Sequence, residues 1–543
     1  MWRELGRIDN GRITSNSNRL KVWGVMLMAV DALRGKHHIN RILPDDLGVL
    51  WSAQSYRSEI TGAIRKIKSR SWKPLQDLVA HPIGPGPHPI YGGSYPCLKT
   101  RNVQDLLAEE EPSALADVSG FASMKSIQVK SGDLLINLTG AGSIGRVAVY
   151  YGCDNPITNQ HIARMTLKEE FDEGYVAAFL VGYWGERALE QGVAGSTGQI
   201  NMVNEHVRSV PVPICALSAQ KRIGDKVRQA EKLRRWAKYL VREIDECFSL
   251  LTNNPIASKS FWRVASDEIS TYRINPKEYD PVVFDLMRKA IVSGVKLVSI
   301  SEMLGPRGLS GGATPKGACY VDKGTLFARV QNVKPLALDL GDAVFIDAAT
   351  DEELARSRCV ADDIILTITG YPGTASLVTE ADLPVNINQH SVRIDCSIEY
   401  DTAYVCAALN STFLKYQIDR SAIGATRDAL DYPSVGRLLI PLLDALVMED
   451  IADSVRDVIC ARRMSKQLLA SAKLLVESLI EGQITEAQLI DAQQALEAGD
   501  DSLDRAILAR LKTDGLDGAG EPLFPDLDQL YDLLERAQPE VEA

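Results

Sequence analysis

The chain says one thing twice. Pro96-Cys97-Leu98-Lys99-Thr100-Arg101-Asn102-Val103 is echoed by Leu326-Phe327-Ala328-Arg329-Val330-Gln331-Asn332-Val333, and the block Gly132 to Gly140 by Asp362 to Gly370, each 230 residues further on. Asn159-Gln160-His161 returns as Asn388-Gln389-His390, and Thr197 of Gly195-Ser196-Thr197 returns as Thr426 of Gly424-Ala425-Thr426, now 229 residues on. Four blocks in one order, with an offset that drifts by one residue, describe a duplicated domain; solenoid repeats are far shorter, about 20–50 residues. Two similar modules suit a ligand with two similar faces at a distance. Duplex DNA is such a ligand.

A length of 543 residues leaves room for two or three domains, each with its own core. The nine cysteines are scattered, with no CxxC pair and no His at ligand spacing. That favours reduced thiols in a cytoplasmic protein over a disulfide frame or a zinc site. Met1-Trp2-Arg3-Glu4 lacks the apolar core of a signal peptide, and Val22 to Val30 is far shorter than the roughly 20 residues of a membrane helix. A net charge of −11 by itself opposes DNA binding. From Thr485 to Ala543, however, fifteen Asp/Glu face four Lys/Arg, so the acidity belongs to the tail and the rest of the chain is balanced. A balanced body binds a duplex only weakly by itself, which implies a partner that supplies more positive surface.

Each repeat runs through the same succession. A tyrosine lead-in (Ser55-Tyr56-Arg57, Glu278-Tyr279-Asp280) precedes a helix-like stretch and a short apolar segment, Leu75 to Val79 or Leu297 to Leu304. A Gly/Pro-rich loop follows, His81 to Pro87 or Gly305 to Gly308, and then β-type runs broken by Gly and Asp. Each repeat closes on a Pro-marked strand, Val210-Pro211-Val212-Pro213 or Leu439-Ile440-Pro441, followed directly by a long helix. In the first helix Ile223, Val227, Ala230, Leu233, Ala237, Leu240, Ile244, Cys247 and Leu251 fall three and four apart; in the second, Val447, Ile451, Val455, Val458, Ala461, Met464, Leu468, Ala472, Leu475 and Leu479 do so. Such a stripe can bury against its own domain or against another helix. Two matched stripes, each directly after a repeat, favour a paired rod of about 45 Å.

This ordered set of blocks resembles the specificity subunit of type I restriction-modification enzymes. The likeness covers roughly residues 50 to 483 and rests on the Asn-Val block, the block ending Thr-Gly, the Asn-Gln-His block, the Gly-x-Thr block and the Pro-then-helix ending. It implies an α+β fold with two similar target-recognition domains (51–217 and 253–445) alternating with two long helices (218–252 and 446–483) packed as an antiparallel coiled coil. An N-terminal extension (1–50) and an acidic C-terminal extension (484–543) depart from the family plan and fit a specialised phage-defence variant. The resemblance further implies a non-catalytic subunit bound to double-stranded DNA and to methyltransferase subunits, in two copies. Those partners would methylate adenine with S-adenosylmethionine, a restriction or translocase subunit could join, and the chain itself would hold no cofactor and no metal.

Base edges are read by Arg on guanine and by Asn or Gln on adenine, and phosphates are held by Lys, Arg, hydroxyls and backbone N–H groups. Lys99, Arg101, Asn102, Ser143, Gln160, His161, Thr197 and Gln199 in the first repeat have that chemistry. So do Arg329, Gln331, Asn332, Thr369, Gln389, His390, Thr426 and Arg427 in the second. Residues shared by both repeats cannot make them read different sequences, so Asn102/Asn332 and Gln160/Gln389 equally suit a bracing role. Arg101 against Gln331, and Gln199 against the segment around Arg427, suit specificity.

Catalysis by the chain itself lacks its parts. Neither repeated His has a repeated Cys, Ser or acidic partner, and Gly140 to Gly145 lacks the Lys-Ser/Thr of a phosphate loop and reads as a tight turn. There is no Asn/Asp-Pro-Pro-aromatic motif for amino-methylation, and Asp362-Asp363 answers to Gly132-Asp133 and so reads as a turn before a strand rather than a metal site. A protein scaffold that never touches DNA is the competing class. The tail, ending in the apolar-acidic run Pro525 to Leu534, is expected either as a solvated, partly helical extension or as a docking segment.

Overall fold

A computed structural model describes residues 42, 44, 47–121, 124, 127–140, 142–195, 200–252, 263–266, 269, 276–315, 320–423 and 428–537. The fold is α+β and divides into two compact units, Met1–Arg228 with Leu468–Pro525, and Gln229–Gln467 with Asp526–Ala543. The N-terminal extension lies almost wholly outside the described residues.

In the first unit α1 (Ser58–Lys68) leads to β1 (Trp72–Pro74), α2 (Leu75–Leu78) and seven strands: β2 (Gly84–Pro85), β3 (Ile90–Leu98), β4 (Leu106–Leu107), β5 (Ala114–Asp117), β6 (Leu134–Asn137), β7 (Val147–Val149) and β8 (Ile157–Thr158). Strand β9 (Ile162–Met165), helices α3 (Glu173–Val181) and α4 (Tyr183–Glu190), the hairpin β10 (Val193–Ala194) and β11 (Asn201–Met202), α5 (Asn204–Ser209) and β12 (Pro211–Pro213) follow, and then α6 (Leu217–Ser249).

The second unit repeats this with α7 (Pro281–Val292), β13 (Lys296–Ser299), α8 (Ile300–Met303), β14 (Leu304–Gly311), β15 (Thr325–Ala328), β16 (Leu336–Ala337), β17 (Val344–Ile346), α9 (Ala348–Glu353) and β18 (Ile364–Thr367). It continues through β19 (Ala375–Leu377), β20 (Val385–Ile387), β21 (Ser391–Cys396), α10 (Thr402–Asn410), α11 (Thr412–Ser421), α12 (Tyr432–Gly436), β22 (Leu439–Leu442) and α13 (Ala445–Glu481). Among the described residues α9 has no counterpart in the first unit, and the hairpin of β10 and β11 has none in the second.

The sheets correspond strand for strand. The five-stranded sheet is β2-β9-β6-β7-β4 in one unit and β14-β21-β18-β19-β16 in the other, the three-stranded sheet is β5-β3-β8 and β17-β15-β20, and the Pro-marked closing strand pairs back as β1-β12 and β13-β22. The duplication reaches the backbone torsions. Leu106 and Leu336, both buried, sit in the left-handed region at φ 65° and 71°, a conformation costing a non-glycine residue about 1–2 kcal/mol. It reaches the buried hydroxyls as well: Tyr175 donates to the Pro213 carbonyl and Tyr404 to the Pro441 carbonyl, at 2.9 and 2.5 Å.

Of the Gly/Pro stretches expected as loops, only Gly84–Pro85 is paired, as edge strand β2, and Gly305 to Gly308 forms a bulge within edge strand β14. β2 and β14 pair with β9 and β21 on one side only, and an edge is where a sheet tolerates proline, whose missing N–H would break a central ladder.

The long helices run for 33 and 37 residues, about 50 and 55 Å, and the stripes read from the sequence are largely buried. Leu240, Cys247 and Val447 are only partly covered, while Trp236 and Phe248 are buried additions. The helices pack together: Ser465 Oγ donates to the Ala230 carbonyl at 2.8 Å. Each also holds a globular partner. Glu477 of α13 accepts from Tyr183 N at the start of α4 at 2.7 Å, and Asp245 of α6 accepts from Thr412 N at the start of α11 at 3.3 Å. A carboxylate on a helix N-terminus satisfies an orphan N–H and the helix dipole together.

The acidic extension is not an open tail. It folds into α14 (Glu486–Glu497), α15 (Ser502–Ala509), the hairpin β23 (Leu511–Lys512) and β24 (Gly515–Leu516), and α16 (Leu527–Arg536). Leu489, Leu508, Leu511 and Leu516 are buried in the first unit, and Leu530, Leu533 and Ala537 in the second. Apolar residues at helical spacing overcome the charge, most of which stays on the outer faces, with Asp504 buried as an exception.

Candidate nucleic-acid interface

Strand pairing gathers the repeated blocks at one end of each unit. Leu98, the last residue of β3, lies opposite Thr158 at the end of parallel β8, and Asn137 at the end of β6 lies opposite Ile162 at the start of β9. The turns leaving these strands therefore adjoin: Lys99 to Asn102, Thr139 to Arg146, and Asn159 to His161. Asn137 Nδ2 donates to the Thr100 carbonyl at 2.9 Å, and Leu138 N donates to the His161 carbonyl at 2.8 Å. The second unit repeats the arrangement, with Ala328 opposite Ile387, Thr367 opposite Ser391, and Ile368 N on the His390 carbonyl at 2.9 Å.

Asn102 and Asn332 are buried beneath these turns. Asn102 Oδ1 accepts from Lys99 N at 3.0 Å while Nδ2 donates to the carbonyls of Glu109 and Glu111; Asn332 Oδ1 accepts from Arg329 N at 2.9 Å while Nδ2 donates to the Asp339 carbonyl and to Asp342 Oδ1. Their amides are taken up by their own loops.

Arg101 and Gln331 are exposed at matched positions, and each is tied to the same neighbouring loop. Arg101 Nε donates to Ser113 Oγ at 2.6 Å, and Gln331 Nε2 donates to Asp342 Oδ2 at 2.6 Å. Ser113 and Asp342 escaped the sequence reading, although they too recur 229 residues apart. Lys99 extends over the ring of half-exposed Tyr91, Nζ lying 4.1 Å from its centroid, whereas Arg329 turns back to the Asp342 carbonyl at 2.8 Å.

The Asn-Gln-His blocks form equivalent turns. Asn159 and Asn388 are buried and accept from the N–H of His161 and His390 through Oδ1. The outer residues touch one another, Gln160 Nε2 to His161 Nε2 at 3.2 Å and Gln389 Nε2 to His390 Nε2 at 3.0 Å. Gln160 Oε1 is shielded from water and meets no hydrogen-bond partner among the described residues. Gly86 and Gly312 underlie these turns so closely that a Cβ would stand 2.5 Å from the Asn159 carbonyl oxygen and 2.1 Å from that of Asn388.

Ser143 lies in the tight turn from Gly140 to Arg146, where Ser143 N and Ile144 N both donate to the Gly140 carbonyl. Exposed Arg146 ends this turn and was not anticipated. Thr369 bridges to Ala429 beside the corresponding turn. Thr197, Gln199, Thr426 and Arg427 lie outside the described residues.

The acidic pair resolves into turn chemistry. Asp133 and Asp363 accept from the N–H of Lys130 and Val360 through Oδ2 at 2.8 and 2.7 Å, and each is buried. Burial raises the Asp133 pKa, against the opposing hydrogen bond from Thr166. Among the described residues no group of three His, Cys, Asp or Glu could hold a metal ion, and no helix is long and apolar enough to cross a membrane.

No protein-family model matches the sequence, and no curated protein does. Among solved structures the chain is similar to the S subunit of a type I restriction-modification system from M. genitalium, at 12% identity over 77% of this chain and 96% of that one, with a TM-score of 0.38. It is similar to the HsdS subunit from Thermoanaerobacter tengcongensis at 14% identity over 80% and 96% of the two chains, with a TM-score of 0.24. A further similarity is to a structure concerned with complex assembly and conformational transition of the type I R-M system, at 12% identity over 78% and 97%, with a TM-score of 0.26.

Proposed function

We propose that the chain is a non-catalytic DNA-recognition subunit that directs a partner adenine methyltransferase, and with it a restriction or translocase effector, to a split DNA site. The observation that carries this reading is the repeated convergence of donor-bearing turns at the end of β3, β6 and β8 and again at the end of β15, β18 and β20, on two units of one topology. Equal frames suit equal grips on a backbone. Unequal exposed residues suit different base sequences, because phosphate contacts position a protein while base edges specify. Arg101 against Gln331, and Arg146 without a counterpart of its kind, are such unequal residues.

In this reading α6 and α13 form an antiparallel coiled coil that spaces the half-sites and offers its surface to two methyltransferase copies. S-adenosylmethionine belongs to those partners. Asn102 and Asn332 brace the recognition turns, and Lys99, Arg101, Ser143, Gln160, His161, Arg329, Gln331, Thr369, Gln389 and His390 form the contact surface, joined by Thr197, Gln199, Thr426 and Arg427. The test is to map methylated adenines in a host carrying the methyltransferase with and without this gene. A split motif that vanishes with the gene is expected. An unchanged methylome, with the complex still assembled, would leave the scaffold reading in its place.

A further inference from the structure

The turn after β18 carries one large side chain that stands almost wholly exposed among the described residues. Tyr371 is 85% exposed at the tip of Gly370-Tyr371-Pro372-Gly373. Its mount is nonetheless rigid. Thr367 Oγ1 donates to the Tyr371 carbonyl at 2.8 Å and accepts from Thr374 N at 3.0 Å, while Gly373 N donates to the Thr367 carbonyl at 2.9 Å and Gly370 N to the Asp428 carbonyl at 3.0 Å. Gly370 and Gly373 stand at φ 90° and 103°, where a side chain would strain the backbone, and Pro372 fixes its own φ. A turn held this firmly, around a ring that stands largely exposed among the described residues, positions that ring for something outside the chain.

Its place narrows what that is. The preceding strand end adjoins the Gln389-His390 turn through Ile368 N and the His390 carbonyl, so the ring stands among the candidate DNA contacts of the second unit. The matching turn of the first unit is two residues longer and carries Gly142, Ser143 and Ile144 and ends on Arg146, with no aromatic residue. The phenolic hydroxyl can donate to a phosphate but carries no sequence information there, whereas the apolar ring suits an apolar group on a base. On the major-groove edge of a base pair, the one apolar group displayed is the thymine methyl.

Resting on the DNA-recognition reading above, we propose that Tyr371 is a specificity residue of the second unit, packing its ring on a thymine methyl in one half of the split site. The first unit has no equivalent contact, so the dependence is confined to one half.

The test uses the full chain in complex with its methyltransferase and duplexes bearing the motif found by methylome mapping. Each thymine is replaced in turn by deoxyuridine, which removes only the methyl group. One position in one half should lose about fourfold in affinity, the worth of one buried methyl-sized group. Y371A should bind the thymine and deoxyuridine duplexes equally at that position, and Y371F should retain the wild-type difference. Identical deoxyuridine profiles for wild type and Y371A, or a half-site without a sensitive thymine, overturn the assignment of Tyr371 while leaving the subunit reading intact. Failure to find any motif dependent on the gene overturns the subunit reading itself.

Discussion

Lys226 Nζ lies 2.6 Å from Asp504 Oδ2, with both side chains almost wholly withdrawn from water. Arg222 shares the same carboxylate, Nε standing 3.5 Å from Oδ1, so two cations of α6 meet on one carboxylate of α15. Asp504→Ala would take this buried carboxylate away from both charges. Breaking a buried pair from one side costs about 3–5 kcal/mol, and that loss is expected in urea unfolding of the variant. Replacing all three charges with apolar residues of similar volume should recover most of it, and failure to recover would mean that Asp504 acts through packing instead.

The same cluster sets a pH dependence. Burial pulls the Lys226 pKa down from 10.5 to about 8, against the pull of Asp504. Between those values the unfolded chain holds more protons at this site than the folded chain, so its contribution to stability grows as pH rises through the window. The stability difference between wild type and Lys226→Met should therefore move in favour of wild type from pH 8 to pH 10. A flat difference would show that Lys226 titrates normally.

Asn102→Ala and Asn332→Ala should behave as matched lesions. Each removes a buried amide that satisfies a backbone N–H and at least one carbonyl. About 1–3 kcal/mol of stability should be lost in either case. The bases preferred in each half-site should stay the same, read by the methylated motif, since these amides face inward.

Gly86→Ala and Gly312→Ala would press a methyl group against the backbone of the Asn-Gln-His turns. Backbone cannot rotate aside as a side chain can, so about 1–3 kcal/mol of destabilisation is expected from thermal unfolding. DNA affinity should fall with it, as the Gln-His pair is displaced. An unperturbed variant would show that β2 and β14 are free to move.

Arg101→Ala should relax sequence preference in one half-site and leave the other unchanged, as read from the methylated motif. Its guanidinium already reaches Ser113, so Ser113→Ala should shift the same half more weakly. Equal loss in both halves would assign Arg101 to phosphate contact.

Much of this was legible because a duplication reports on itself. Blocks recurring at a fixed offset mark equivalent strands and turns, and the stripes through Ile223 and Ile451 marked the long helices. What escaped depended on distance in the chain or on mixed signals. Ser113 and Asp342 carry no motif, and only the fold brings them to Arg101 and Gln331. Pro85 and Pro306 read as loop because the sequence cannot say which strands are edges. Nothing in the sequence beside the seam residues Ile223 and Val227 says that Arg222 and Lys226 are buried against α15. The count of acidic residues after Thr485 hid the leucines that fold the segment.

The first unit is built from two stretches of chain with most of the second unit between them. During synthesis Arg222 and Lys226 emerge well over 200 residues before Asp504, so the nascent protein carries them without that carboxylate while most of the second unit is made. Domains generally fold as they leave the ribosome, the N-terminal one first. Here the leading one cannot be finished until Leu468–Pro525 has followed the intervening stretch of the second unit, so its core closes only after that stretch has been made.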